Sequence, residues 1–274
     1  MDSDARTLRL RDGSSIPRVG LGVYQSPRGE PTRAAVREAL AAGYRHVDTA
    51  RVYRNEADVG AAVRESGIPR SEIFVTTKLW NRDQGYDRAL RAFGESLGEL
   101  GLDTVDLFLI HWPVAQKRLE AWRALETIHG EGRARAIGVS NFLVPHLEEL
   151  LGQAKVVPAI NQIEVHPFHQ QRETRALCAA HGIAVEAYSP LTRGQRIGDP
   201  VVARVAAEVG RTPAQVLLRW GLQHDLVVLP KSTRPERIRE NLSLFDFALT
   251  RAQMAVLDAL EEGQATGWDP RTQD

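Results

Sequence analysis

The sequence predicts a closed (β/α)8 barrel, the TIM-barrel architecture, on three observations. Apolar strand-like runs alternate with amphipathic helical stretches through eight βα units, no Pro- or Gly-rich linker divides them, and 274 residues suit one barrel in one domain, 1–274. TLRLRDGSSIP reads as a β-hairpin turning at Asp12-Gly13, ahead of the barrel. The first unit pairs strand RVGLGVY with a helix from about Thr32 to Ala42, with Pro31 near its start and Gly43 as its stop. RHVDT and a helix over 56–66 follow, then IFVTTKL with a helix over 87–100, and TVDLFLIH with helix RLEAWRALETIHG. In the second half, ARAIGVS pairs with VPHLEELLG, VPAINQIEV with a helix over 171–180, and IAVEAYS with helices DPVVARVAAEV and TPAQVLLRWGLQ. LVVLPK is the eighth strand, a helix over 235–242 follows it, and LTRAQMAVLDAL adds a further helix near the C-terminus. The tail GQATGWDPRTQD has no periodicity and reads as surface coil.

Composition narrows the function classes. Lys plus Arg and Asp plus Glu number 35 each, so no global field draws the chain to nucleic acid or an anionic membrane. No apolar run has the length of a membrane span, and the polar start MDSDARTLRLRDGSS lacks a secretory signal pattern; the expected location is cytoplasmic. Cys178 is the only cysteine, which excludes an internal disulfide and cysteine zinc clusters, and it reads as a buried small side chain. Only Lys78, Lys117, Lys155 and Lys231 are lysines, so each is a candidate for chemistry that a guanidinium cannot perform.

In a barrel of this type, chemistry gathers at the C-terminal strand ends. Asp48 ends the second strand with Tyr53 just beyond it, Lys78 ends the third, and His111 ends the fourth. Ser140 and Asn141 end the fifth, Gln162 sits near the end of the sixth, Tyr188 ends the seventh and Lys231 the eighth. Carbonyl reduction needs a hydride and a proton for the oxygen that becomes negative. A phenol is a weak acid near neutrality; an ammonium nearby lowers its pKa, and a carboxylate holds that ammonium charged and in place. Tyr53, Lys78 and Asp48 supply these parts, with His111 as a neutral donor to the carbonyl oxygen. An Asp48–Lys78 ion pair that merely ties two strands explains the same residue types equally well.

For a cofactor, GLG at 20–22 begins a dinucleotide fingerprint, but no third glycine and no helix follow at the required spacing, so a Rossmann domain is rejected. LPKSTRPERIREN places Lys231, Ser232 and Thr233 beside a helix start whose free N–H groups suit a phosphate. Arg237 falls in the first helical turn, where a cation opposes the helix dipole and calls for an anion or a solvent-side position. Tyr188 either stacks on a planar ring or packs in the core.

Together GLGVY, DTARVYRNEADVG, TTKLWN, LFLIHWP, RAIGVSNF, NQIEVHP, AYSPL and LPKSTRPERIRENL resemble the aldo-keto reductase family over nearly the whole chain. In appearance they are closest to its bacterial 2,5-diketo-D-gluconate reductase-like members. The resemblance implies NADPH-dependent reduction of aldehydes, α-dicarbonyls or keto sugars by a monomer, with A-side hydride transfer and no metal. It implies Asp48, Tyr53, Lys78 and His111 as the catalytic tetrad. It sets the nicotinamide against Tyr188 with Ser140, Asn141 and Gln162 on its carboxamide, and Lys231, Ser232 and Arg237 on the ribose 2′-phosphate. Glu240 and Asn241 fall on the adenine side, and Gly22, Val23, Tyr24, Asp48, Ser189, Leu191 and Arg193 complete the implied cofactor contacts.

Tyr24, Tyr53, Trp80, His111 and Trp112 are the expected walls around the substrate, with Trp268 either reaching the pocket from the tail or packing on the barrel surface. The loop after His111 looks short for the family, opening one wall, and Arg193 and Arg196 are candidate anion contacts over the pyrophosphate. Two rivals come from other classes. One is a cofactor-binding regulatory subunit with little turnover. The other is a metal-dependent hydrolase built on His166 and His169, for which no carboxylate partner is evident; loop packing or solvent exposure explains that pair. A small carbonyl substrate is the expected partner, with no nucleic acid, membrane or obligate protein partner.

Overall fold

The computed structural model describes residues 6–267, 269 and 270. Two short strands, β1 (Thr7–Arg9) and β2 (Ser15–Pro17), pair antiparallel as the predicted hairpin. Eight parallel strands follow in sequential order: β3 (Leu21–Gly22), β4 (His46–Asp48), β5 (Phe74–Leu79), β6 (Val105–Ile110), β7 (Ala134–Ser140), β8 (Ile160–Glu164), β9 (Ala184–Tyr188) and β10 (Val227–Leu229). The sheet closes where Val19 bridges Val228 in parallel, through Gly20 N–H to Val228 O at 3.0 Å and Val228 N–H to Arg18 O at 2.8 Å. Closure explains why the first strand is shorter than its apolar run predicts. Gly22 N–H then reaches past β10 to Pro230 O, and Val23 N–H reaches the Asp48 carbonyl, so the 18–24 segment belongs to the barrel although little of it is regular strand.

Ten helices cover the outside among the described residues: α1 (Glu30–Ala42), α2 (Glu56–Glu65), α3 (Tyr86–Leu100), α4 (Arg118–Gly130), α5 (Val144–Leu151), α6 (Arg172–Ala180), α7 (Pro200–Val209), α8 (Pro213–Gln223), α9 (Pro235–Leu242) and α10 (Arg251–Asp258). Their ends follow local chemistry. Gly43 and Gly101 stop α1 and α3 in the left-handed region, where a side chain is strained. Asp199 caps α7, and the Thr212–Gln215 and Thr250–Gln253 capping boxes start α8 and α10. No helix among the described residues is long and apolar enough to cross a membrane.

The period-2 alternation of each strand sorts side chains between two cores. Val47, Val75, Phe108, Ile137, Ile163 and Val185 face the helices in the larger cluster. Phe74, Leu107, Leu109, Ala136, Ile160 and Val227 form a smaller inner cluster, and Leu10 and Ile16 of the hairpin region plug its floor. Above that floor the alternation carries polar residues: His46 and Asp48, Thr76 and Lys78, Gln162, and Glu186, all buried. Gly138 keeps the inner wall narrow, since a Cβ there would lie 2.5 Å from the Ile160 carbonyl oxygen and 2.8 Å from a Leu109 methyl. Gly138→Ala is expected to cost about 1–3 kcal/mol by overpacking, read as a lower urea midpoint at unchanged m-value.

Candidate active site

Asp48, Lys78, His111, Ser140 and Tyr188 stand at the C-terminal ends of their strands, and Gln162 lies in β8 opposite Ser140, so these sequence-predicted positions meet at one rim. Tyr53 arrives differently. A 3-10 turn over Arg51–Tyr53 follows β4, and Arg54 leaves it with a left-handed backbone. Buried Asn55 ties this turn down, accepting from Thr49 Oγ1 at 2.8 Å and donating to the Val23 carbonyl at 3.0 Å. Nothing in the sequence distinguishes Asn55 from a loop asparagine; its role depends on strands β3 and β4 being neighbours.

Lys78 is fully buried, and all three ammonium protons are committed: to Asp48 Oδ1 at 2.6 Å, Asp48 Oδ2 at 2.7 Å and the Thr49 carbonyl at 2.9 Å. Its nitrogen lies 5.1 Å from the centre of the Tyr53 ring. The expected acidification of Tyr53 by Lys78 is not what this arrangement produces. Burial pushes the Tyr53 phenol well above its ordinary value, and Asp48, Tyr188 and Tyr24 push the same way. The ammonium is neutralised by Asp48 and has no proton left to offer the phenolate, so burial prevails. Tyr53 is therefore held protonated. That still suits donation to a nascent alkoxide, which is about as basic as hydroxide and more basic than a phenolate.

His111 is held well below its ordinary pKa, first by burial and then by the Lys78 charge, so its imidazole is neutral. Its Nδ1 is buried with no partner among the described residues, leaving Nε2 as the nitrogen able to meet a ligand. The ring sits edge-on to Tyr53 at 5.7 Å and to Trp80 at 5.3 Å, and Tyr24 lies 5.0 Å from Tyr53. These four residues form one chain of ring contacts at the rim. Trp112 is only 7% exposed and stacks behind His111 at 6.4 Å, so it backs these rings. Trp268 lies outside the described residues.

The candidate nicotinamide contacts also form one cluster. Ser140 Oγ donates to the Gln162 carbonyl at 2.9 Å, and Tyr188 Oη donates to Asn141 Oδ1 at 2.8 Å. Asn141 Nδ2 donates to the His111 carbonyl at 2.9 Å, linking this group to the substrate side. Ser189, Thr192 and Arg193 all carry positive φ in the loop after β9, a concentration of strain that marks functional loops; Leu191 lies between them. Arg193 reaches across to within 5.8 Å of the Tyr24 ring centre. At the far end, exposed Lys231 and Arg237 make no hydrogen bond or ion pair with other described residues, and Ser232 Oγ accepts from Arg234 N–H just before α9. Two cations without acceptors beside a helix start fit an anionic cofactor group.

Four expectations change. Arg196 is not free for an anion: it forms paired bonds to Glu262 at 2.7 and 2.9 Å, reaches Asp199, and stacks 3.9 Å over Phe168. Glu240 accepts from Thr212 Oγ1 at 2.6 Å, so part of its carboxylate is spent on α8, while Asn241 is buried beside it. His166 does have a carboxylate partner, Glu164, at 3.1 Å, and is buried. Thr266 and Gly267 of the tail are docked, because Glu164 also accepts from Thr266 N–H and Oγ1 and from Gly267 N–H. These contacts span about a hundred residues of sequence, and no local pattern announces them. Among the described residues, no three His, Cys, Asp or Glu side chains are grouped so as to hold a metal ion.

The chain belongs to the aldo/keto reductase family, whose model matches residues 18–262. It is 49% identical to a morphine 6-dehydrogenase of Pseudomonas putida, over 97% of this chain and 95% of that protein. It is 46% identical to a glyoxal reductase of Bacillus subtilis, over 96% of each chain. A crystal structure of an aldo-keto reductase enzyme from a Medee basin deep-sea metagenome library superposes with a TM-score of 0.95 at 42% identity, over 98% of this chain and 99% of that one. Family and fold define an oxidoreductase acting on carbonyl substrates.

Proposed function

We propose that the chain, as one domain over 1–274, reduces aldehydes, α-dicarbonyls or keto sugars to alcohols with NADPH. The observation that carries this reading is the Tyr53 phenol set beside the His111 imidazole and the buried Asp48–Lys78 pair at one barrel rim. When bound, NADPH supplies the hydride that reaches the carbonyl carbon. His111 Nε2 donates to the carbonyl oxygen and orients it. As that oxygen becomes an alkoxide, the Tyr53 hydroxyl gives up its proton, so carbonyl, hydride and proton yield the alcohol. Asp48 and Lys78 hold a fixed dipole beneath the ring. Gln162, with Ser140 and Asn141, takes the nicotinamide carboxamide and Tyr188 its face. Lys231, Ser232 and Arg237 take the 2′-phosphate.

Glyoxal reductase and morphine 6-dehydrogenase are relatives at nearly equal identity, one named for a small dicarbonyl and the other for a large polycyclic alcohol. The bulky aromatic side chains Tyr24, Tyr53 and Trp80 packed around His111 favour the small-carbonyl end of that range. Neither relative is a 2,5-diketo-D-gluconate reductase, so keto sugars rest on the sequence segments alone.

The test is NADPH consumption against methylglyoxal, an aromatic aldehyde and a keto sugar, with NADH in parallel. Replacing Lys231 or Arg237 by Ala is expected to raise the KM for NADPH at least about tenfold, the worth of one charge-assisted hydrogen bond, and to leave that for NADH nearly unchanged. Equal losses for both cofactors remove the 2′-phosphate assignment. Tight NADPH binding without turnover across the panel replaces the enzyme by a regulatory cofactor-binding subunit.

A further inference from the structure

Below the rim, a second buried carboxyl group stands inside the barrel that the reaction above does not use. Glu186, on β9, is completely buried. The Gln162 side-chain nitrogen lies between it and Asp48, donating one proton to Asp48 Oδ2 at 2.8 Å and the other to Glu186 Oε2 at 2.6 Å. Two carboxyl oxygens on the same amide end determine which way that amide points. Its nitrogen must face inward, and its carbonyl oxygen is left to accept from a ligand. Among the described residues Glu186 Oε1 has no hydrogen-bond partner, and it faces His46 Nε2 at 3.5 Å. Gly20 makes room for that ring, since a Cβ there would lie 2.6 Å from His46 Nδ1.

We propose that Glu186 is a positioning residue: its carboxyl group fixes the orientation of the Gln162 amide and steadies the Asp48–Lys78 pair, and loss of its proton weakens proton donation from Tyr53. This rests on the carbonyl-reductase reading of the rim. The groups facing Glu186 are His46 and Asp48 on β4, Lys78 on β5 and Gln162 on β8, with Tyr53 above; opposite it on β10 stands only Val227. The proton belongs on Oε1, because Oε2 is already an acceptor, and it faces His46 Nε2, which also lies 3.2 Å from Thr76 Oγ1. Burial holds His46 neutral, its pKa brought down to about 3. Burial, then the facing Asp48 carboxylate, pushes Glu186 up to about 8. Once ionised, Glu186 adds a second negative charge beside Asp48, which raises the Tyr53 phenol further and makes it a poorer acid.

Linkage fixes a sign that can be read without the reaction. Between the ordinary carboxylate range and about pH 8, the folded state holds a proton on Glu186 that the unfolded chain has released. Stability from this group is therefore full at low pH and falls as pH rises through that window. Glu186→Gln keeps the shape and the neutral state and cannot ionise. Its melting temperature is expected to gain on the wild type from pH 5 to pH 8, and the infrared carbonyl stretch of a neutral carboxylic acid at pH 7 is expected to vanish. In turnover, the ratio of kcat/KM at pH 9 to that at pH 6 is expected to be about fivefold higher in the variant. A neutral-acid band that persists in the variant, or the same pH 9 to pH 6 ratio in both proteins, overturns the proposal. If the wild type reduces no carbonyl compound, the rim reading fails, while the melting and infrared results still decide whether Glu186 carries the proton.

Discussion

Tyr53→Phe is expected to lower kcat for carbonyl reduction by about 10²–10⁴-fold, the usual contribution of a positioned general acid. The substitution removes one oxygen and little else. The Tyr53 hydroxyl makes no hydrogen bond with other described residues, and the ring contacts to Tyr24 and His111 survive in phenylalanine. Stability should therefore stay within roughly 0.5 kcal/mol, and NADPH affinity, read by fluorescence quenching, should change little. A conventional phenol acidified by a neighbouring ammonium would begin to lose its proton below pH 10. Here burial holds the proton on, so the variant should be defective across the whole stable pH range. A variant retaining more than about a tenth of wild-type kcat rules Tyr53 out as the donor.

Lys78→Met should be as damaging, and it separates catalysis from stability. Removing the ammonium leaves Asp48 buried with only Gln162 donating to it, and breaking a buried pair from one side costs about 3–5 kcal/mol. It also frees the Thr49 carbonyl, which anchors the chain entering the Tyr53 turn. Carbonyl reduction is expected to fall by at least about 10²-fold, together with a marked drop in melting temperature. The combined change Asp48→Asn with Lys78→Met neutralises both partners and should recover most of the stability, since a pair replaced whole is often tolerated. Activity should not return with it. If rate and stability recover together, the pair is only a tie between β4 and β5.

The rim residues were legible because each ends a strand, and strand ends can be located from apolar runs bounded by Gly, Pro and polar residues. Asp48, Lys78, His111 and Tyr188 follow from that pattern. Tyr53 is less direct, since its distance from the other three is set by a 3-10 turn and by the Asn55 clamp, and neither has a periodic signature. Glu186 shows the limit more sharply. Within IAVEAYS it is one polar residue in a strand, and whether it points into the barrel or outward depends on register. That register puts it opposite Gln162 and two residues below Tyr188.

The alternation of elements pointed to the barrel, because eight βα units run without a dividing linker and their largely apolar strands need cover on both faces, which a closed sheet inside a helical ring supplies. Local chemistry likewise determined the helix starts and stops and the set of chemical groups at the rim. What only the tertiary structure decided is the charge and proton state of those groups. Whether Lys78 acidifies Tyr53 or is absorbed by Asp48, whether Arg196 is free or bound to Glu262, and whether Glu186 keeps its proton all depend on distances of a few ångströms. Those distances run between residues tens to more than a hundred positions apart. Electrostatic energies in a buried site change steeply over such distances, and sequence spacing carries no information about them until the sheet closes.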